Sequence, residues 1–222
     1  MSKEDGEKPQ TPESYRRLVI ACDIDSTIND LFLRVLMRFN EEFGTSLQTE
    51  DISTFNFLPS FIEKYASHLT ENEKNVVFQR YYRDPDLYHE AEPLPHAVPV
   101  LQNIGQNHVI HYVSARPTHL NETTVSWLSR HGLLFPETGV HLSTRAVSPN
   151  IGNTALDHKV AAINAIGAHL VIEDHQEVAE AMNVPVILLD WPWNRNATAH
   201  HITRVAGWHE IEAAVERLAK LR

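Results

Sequence analysis

Four short apolar runs, each cut off by an acid or a serine, constrain this chain more than any other feature. Residues 18–22 (Leu-Val-Ile-Ala-Cys) stop at Asp23, residues 109–113 at Ser114, residues 170–172 at Glu173 and Asp174, and residues 184–189 at Asp190. Runs this short and this rich in Val and Ile read as strands buried on both faces. Helical patterns lie between them. Residues 118–131 precede Gly132 as a stop, residues 161–166 precede Gly167, and residues 176–182 lead into the next strand. The last pattern, 208–221, sets Ile211, Val215 and Leu218 at helical spacing. Alternation of this kind predicts an α/β fold with a doubly wound parallel sheet. Ligands of such sheets bind beyond the carboxyl ends of the strands, where these acids and the serine stand.

Residues 30–95 break the alternation. Leu31–Phe43 is an amphipathic helical pattern, with Leu31, Val35, Leu36, Phe39 and Phe43 spaced by three and four. Residues 61–69 and 76–82 read as two further helices, and the span ends in Glu92-Pro93-Leu94-Pro95. No strand is expected there. The span therefore reads as a small helical cap (30–95) inserted after the first strand of a core made of residues 16–29 and 96–222. Residues 1–15 are polar and lack an apolar period, which predicts a flexible tail.

The charge balance narrows the partners. With 29 acidic and 19 basic residues, a net charge of −10 and no run of Lys or Arg, the surface repels a nucleic acid polymer. The single cysteine, Cys22, excludes an internal disulfide and fits a reducing compartment. No stretch approaches 18 apolar residues, and the N-terminus has no signal-peptide core. A soluble, cytoplasmic protein without a membrane partner is expected. The oligomeric state is open, a homodimer included.

Each strand end has a chemical and a bland reading. In Asp23-Ile24-Asp25-Ser26-Thr27, two carboxylates can face one site from a single loop, although an Asx-type turn would use the same residues. The Ser114 hydroxyl and the free backbone N–H groups at Ser114-Ala115 suit a phosphate oxygen, or equally a helix cap. Lys159 follows the Gly/Asn-rich loop at residues 150–154; alone, it would read as a solvated surface charge. Glu173 and Asp174, adjacent beyond a buried strand, would incur desolvation without a partner, and a bound cation supplies one.

Taken in order along the chain, Asp23-x-Asp25-x-Thr27, Ser114, Lys159 and Asp174 resemble the four motifs of the haloacid dehalogenase-like hydrolase superfamily. The resemblance implies a Rossmann-like core and a phosphoryl-transfer site. It makes Asp23 the nucleophile, and Asp25 the acid that protonates the leaving oxygen and later the base that activates water. Thr27, Ser114, Ala115 and Lys159 would hold the phosphate. Mg²⁺ would be held by Asp23, Asp174 and the backbone carbonyl of Asp25. Glu173 has two readings, completing the metal's outer shell or shaping the loop. Two departures stand out: Ser26 where many relatives carry Gly, and Ser114 where Thr is commoner.

Within the superfamily, Asp30, the segment Glu92-Pro93-Leu94-Pro95-His96-Ala97, Trp191-Pro192-Trp193-Asn194-Arg195 and Trp208-His209-Glu210-Ile211 resemble the pyrimidine 5′-deoxynucleotidases and their bacterial relatives. The substrate implied is a small phosphate ester, a nucleoside monophosphate, with Phe55 and Phe57 as candidate base-stacking rings. Other readings are a phosphatase for a sugar phosphate or another small metabolite, a non-catalytic nucleotide-binding protein, and a receiver-type signalling domain. Intact motifs argue against the non-catalytic protein, and the second acid, Asp25, against the receiver. The 14 histidines are scattered without zinc-ligand spacing, and no metal is assigned to them. Trp191, Trp193 and Trp208 are expected to pack around the last strand.

Overall fold

A computed structural model describes residues 16–143 and 154–220. The expected tail (1–15), most of the loop at 150–154 and Leu221 lie outside the described residues. The described chain forms six strands: β1 (Val19–Cys22), β2 (Val109–Pro117), β3 (Gly139–Ser143), β4 (Leu170–Glu173), β5 (Val186–Leu189) and β6 (Ile202–Val205). Every pairing is parallel, and the order is β3-β2-β1-β4-β5-β6. The winding reverses between β1 and β4, so the switch point of the doubly wound sheet lies between the strands that end in Asp23 and Glu173.

Alternation along the strands feeds two cores. Ile20, Cys22, Ile110, Tyr112, Leu170, Ile172, Ile187 and Leu189 face one cluster, which includes Leu101 of α5 (Ala97–Asn107), Trp127 of α6 (Asn121–Arg130) and Ile211 of α9 (Trp208–Lys220). Ala21, Val113, Val171, Val186 and Leu188 face the other, which includes Ile163 of α7 (Thr154–Ala165) and Val178 of α8 (Gln176–Ala181). Both faces are dry, which is why these strands read as continuous apolar runs. Between β1 and α5 come α1 (Leu31–Phe43), α2 (Phe57–Tyr65), α3 (Glu71–Arg83) and α4 (Pro85–His89). They surround a third cluster that includes Phe39, Ile52, Phe57, Phe78, Tyr81 and Tyr88.

Several boundaries differ from the sequence expectation, for identifiable reasons. Helix α2 starts at Phe57 and not at 61, because Pro59 sits in the first turn, where its missing N–H costs nothing. Helix α3 starts at Glu71, where Thr70 and Glu73 form a capping box. The expected helix 118–131 is a short 3₁₀ turn at Thr118–Leu120 followed by α6. Helix α7 begins at Thr154, so Lys159 lies in its second turn. Strands β3 and β6 and helix α5 were not expected from the sequence. Among the described residues, no helix is long and apolar enough to cross a membrane.

Candidate active site

At the switch point, β1 and β4 end side by side. The Asp23 N–H donates to the Ile172 carbonyl (3.0 Å), which extends the ladder one step past β1. The chain then turns through Ser26, whose φ of 59° is left-handed. Glycine adopts that conformation at no steric cost; Ser26 adopts it with its Oγ accepting from the Phe32 N–H (3.3 Å). Asn29 holds the turn: its Oδ1 accepts from the N–H groups of Ser26 and Leu31, and its Nδ2 donates to Asp25 Oδ1 (3.3 Å). The loop thus presents Asp23, Asp25 and Thr27 by local hydrogen bonding rather than by chance.

The acids converge on one lysine. Lys159 Nζ lies 2.7 Å from Asp23 Oδ1 and 2.7 Å from Glu173 Oε1, and its side chain is 2% exposed. The Glu173 carboxylate also accepts from the His175 backbone N–H (3.2 Å). The Thr27 hydroxyl lies 3.1 Å from Asp23 Oδ2 and 3.3 Å from Asp174 Oδ1, and the Trp193 indole donates to Asp174 Oδ2 (3.0 Å). Ligand oxygens of Asp23, Glu173 and Asp174 all lie within 4.8 Å of one another, and all three residues are buried.

The electrostatics follow from that burial. Desolvation raises the carboxyl of Asp23, with Lys159 opposing it. Burial lifts Asp174 well above the carboxylate range, and Asp23 and Glu173 push it further. Burial brings Glu173 up to about 7, with Lys159 again opposing. Desolvation works against the Lys159 ammonium too, yet Asp23, Glu173 and Asp174 together keep it charged. Three carboxylates against one ammonium leave a charge of −2 when all are ionised, and their donors are all oxygen. That donor set fits a hard divalent cation.

Ser114 lies within β2, which runs on to Pro117 past the expected stop, and its pairing with β3 slips between Ser114 and Pro117. The register ends with Cys22 opposite Tyr112, so Asp23 and Ser114 follow just beyond the last pair of the two strands. Ser114 is buried, and its Oγ accepts from the Arg116 N–H (3.2 Å), a turn closed within Ser114-Ala115-Arg116. The Asp25 carboxylate turns to Arg116, which binds both of its oxygens. Contacts therefore join Asp23, Thr27, Lys159, Glu173 and Asp174 directly, while Asp25 belongs to a neighbouring cluster with Asn29 and Arg116.

The two candidate stacking rings part company. Phe57 is 4% exposed and packs edge-on to Phe32 (5.3 Å between centroids) and Phe61 (5.2 Å) inside the helical cluster. In this arrangement it meets neighbouring rings, not a ligand face. Phe55 is half-buried and stacks on His175 at 3.8 Å and 16°, beside Asp174. Burial, with Lys159 adding to it, pushes the His175 imidazole down to about 3 and keeps it neutral.

Sequence reasoning missed several residues that build this site. Arg116 and Asn29 were given no role. The tryptophans do more than pack: the Trp191 indole donates to the Ser26 carbonyl (2.8 Å) and the Trp208 indole to the Thr27 carbonyl (2.7 Å). Asn194 Nδ2 bridges the carbonyls of Asp174 and Leu189. The only signal in the sequence was a cluster of Trp and Asn just past an acid-terminated strand.

Comparison with known proteins accords with this geometry. Residues 17–221 match the family model described as "5' nucleotidase, deoxy (Pyrimidine), cytosolic type C protein". The chain is 28% identical to "Putative nucleotidase BH1399" of Halalkalibacterium halodurans over 207 residues, covering 89% of this chain and 92% of that one. Among solved structures, a haloacid dehalogenase-like hydrolase from Streptococcus pneumoniae superposes with a TM-score of 0.61 at 16% identity, covering 90% of this chain and 98% of that one. The HAD-hydrolase YfnB from Bacillus subtilis, solved bound to magnesium, gives a TM-score of 0.53 at 13% identity over 90% of this chain and 99% of that one. At such identities these two structures speak for the fold alone.

Proposed function

We propose, from the premise that this chain belongs to the deoxy (pyrimidine) cytosolic type C 5′-nucleotidase family, that it hydrolyses nucleoside 5′-monophosphates through an aspartyl-phosphate on Asp23. The observation that carries the reading is the buried Asp23–Lys159–Glu173–Asp174 cluster at the switch point. Asp23 attacks phosphorus, and the ester P–O bond breaks. Asp25 gives a proton to the departing 5′-oxygen. Water then attacks the acyl phosphate, Asp25 takes its proton, and the bond from phosphorus to Asp23 breaks to release inorganic phosphate.

Lys159, Thr27, Ser114 and the backbone N–H of Ala115 hold the phosphoryl oxygens. Mg²⁺ fits the oxygen donors of Asp23, Asp174 and the Asp25 carbonyl, and when bound it supplies positive charge at the transferring group. Glu173 carries Lys159 on its carboxylate, so its part is to aim that ammonium. Residues 30–95 act as a cap that excludes water and contacts the nucleoside. A cytoplasmic setting belongs to the same reading, since Cys22 is a buried free thiol.

The test is a panel of nucleoside 5′-monophosphates, a sugar phosphate and p-nitrophenyl phosphate, assayed with Mg²⁺ and with chelator. A deoxynucleoside monophosphate should be preferred, chelator should abolish turnover, and Asp23→Asn should lower kcat by more than about 10³-fold. Preference for the sugar phosphate would overturn the nucleotide assignment. Near-wild-type turnover of Asp23→Asn would overturn the covalent route.

A further inference from the structure

We propose that Arg116 is the positioning residue for Asp25, fixing the plane of its carboxylate and leaving Oδ2 the less occupied oxygen. The inference rests on the phosphatase reading above and adds a residue to it. Arg116 lies two positions past Ser114, and its side chain is 1% exposed. Its Nε reaches Asp25 Oδ2 at 2.9 Å and Oδ1 at 3.1 Å, and its Nη2 reaches Oδ1 at 2.5 Å. Asn29 Nδ2 adds a further bond to Oδ1 (3.3 Å). Oδ1 thus takes three contacts and Oδ2 one. A carboxylate offers about four lone-pair sites across its two oxygens, so the unused acceptor capacity is on Oδ2.

The guanidinium is itself held. Nη1 donates to the Thr124 hydroxyl (3.0 Å), which donates on to the Leu120 carbonyl (2.8 Å). The Tyr88 ring of α4 lies 4.8 Å from Cζ, so the helical insert closes over the charge. A planar fork fixes both the distance and the plane of a carboxylate, which an ammonium does not do. General acid–base groups act only when aimed within hydrogen-bond reach of the proton they move. The guanidinium spends its hydrogen bonds on Asp25 and Thr124, so its effect passes through Asp25.

Leaving-group dependence separates this role from a structural one. A 5′-alkoxide needs a proton to depart, whereas p-nitrophenolate leaves without one. kcat/KM covers steps up to formation of the phosphoenzyme. Arg116→Lys and Arg116→Ala should lower kcat/KM for a nucleoside 5′-monophosphate by about 10²- to 10⁴-fold, the usual share of acid–base catalysis. The loss on p-nitrophenyl phosphate should be at least ten times smaller, and added guanidinium should raise the Arg116→Ala rate on the nucleotide. Arg116→Lys keeps the charge and stem, so it guards against loss of the fold, which a matched melting curve checks. Equal losses on both esters, or no loss on either, would overturn the proposal. Should the wild-type enzyme ignore nucleotides, the substrate assignment alone fails. The same comparison then runs between p-nitrophenyl phosphate and whichever alkyl phosphate is turned over.

Discussion

At the scale of single residues, the site is a conflict between burial and charge that one lysine cannot resolve. Glu173 shows the consequence for stability. Its folded-state carboxyl rises from 4.5 to about 7, chiefly through desolvation. Between those values the folded chain keeps a proton that the unfolded chain has released, so stability falls as pH rises through that window and levels off above it. The shift is worth ~3 kcal/mol at most for this residue. Asp23 and Asp174 are displaced in the same direction and add to it. A Mg²⁺ held there would bind the ionised carboxylates, so its stabilisation should grow over the same window. Melting curves with Mg²⁺ and with chelator at pH 5 and pH 8 check this. The Tm difference should be small at pH 5 and several degrees at pH 8. A Tm indifferent to Mg²⁺ at pH 8 would mean that no cation occupies the cluster.

At the scale of elements, the C-terminal third supports the first loop. Trp191 caps and Trp193 lies within a 3₁₀ turn after β5 (Pro192–Asn194), Trp208 opens α9, and all three indoles donate into the site. Trp208→Phe keeps most of the ring but strands the buried Thr27 carbonyl. It should destabilise the protein by about 1–3 kcal/mol, read by urea denaturation, because an unmade buried hydrogen bond costs its full desolvation. A change below about 0.5 kcal/mol would show that the carbonyl finds another donor.

These supports also mark the limit of what the sequence could reveal. Asp23, Asp25 and Thr27 were legible because they share one loop, and Asp174 because it closely follows the apolar run at residues 170–172 of β4. The partners of that loop stand 91, 165 and 181 residues away, at Arg116, Trp191 and Trp208. No local periodicity reports such contacts. Strand β6 escaped notice because it is a short edge element whose outer residues are half-exposed. Strand β3 did so because Gly139 and His141 interrupt any apolar run; a Cβ on Gly139 would meet the His111 and His141 rings at 2.4 and 2.7 Å. Pro99 in the first turn of α5 disguised that helix in the same way that Pro59 disguised the start of α2.

At the scale of the whole molecule, two of the places where the helical insert meets the rest of the chain differ in character. One is a pair of crossings tied by backbone: Asp30 N–H donates to the Glu92 carbonyl (2.9 Å), the Glu92 N–H to Asp30 Oδ1 (2.7 Å), and the Leu94 N–H to the Ile28 carbonyl (2.7 Å). The other is the aromatic seam where Phe55 stacks on His175 and Phe32 meets Trp193 at 5.3 Å. The seam adjoins Asp174, so a nucleoside reaching out from the phosphate site would meet Phe55 before Phe57. Phe55→Ala should therefore raise KM for a nucleoside monophosphate by about 5- to 150-fold, the 1–3 kcal/mol that a stacked base contributes. It should leave the KM of a small phosphate ester within about threefold. Phe57→Ala should behave differently, removing about 3–5 kcal/mol of stability from the buried cluster and lowering activity on both esters together. Steady-state kinetics on the two substrates, paired with denaturation of each variant, separates the outcomes. If Phe57→Ala alone showed the nucleotide-selective loss, the insert would have to open at its own core to admit substrate, and the seam at Phe55 would be packing only.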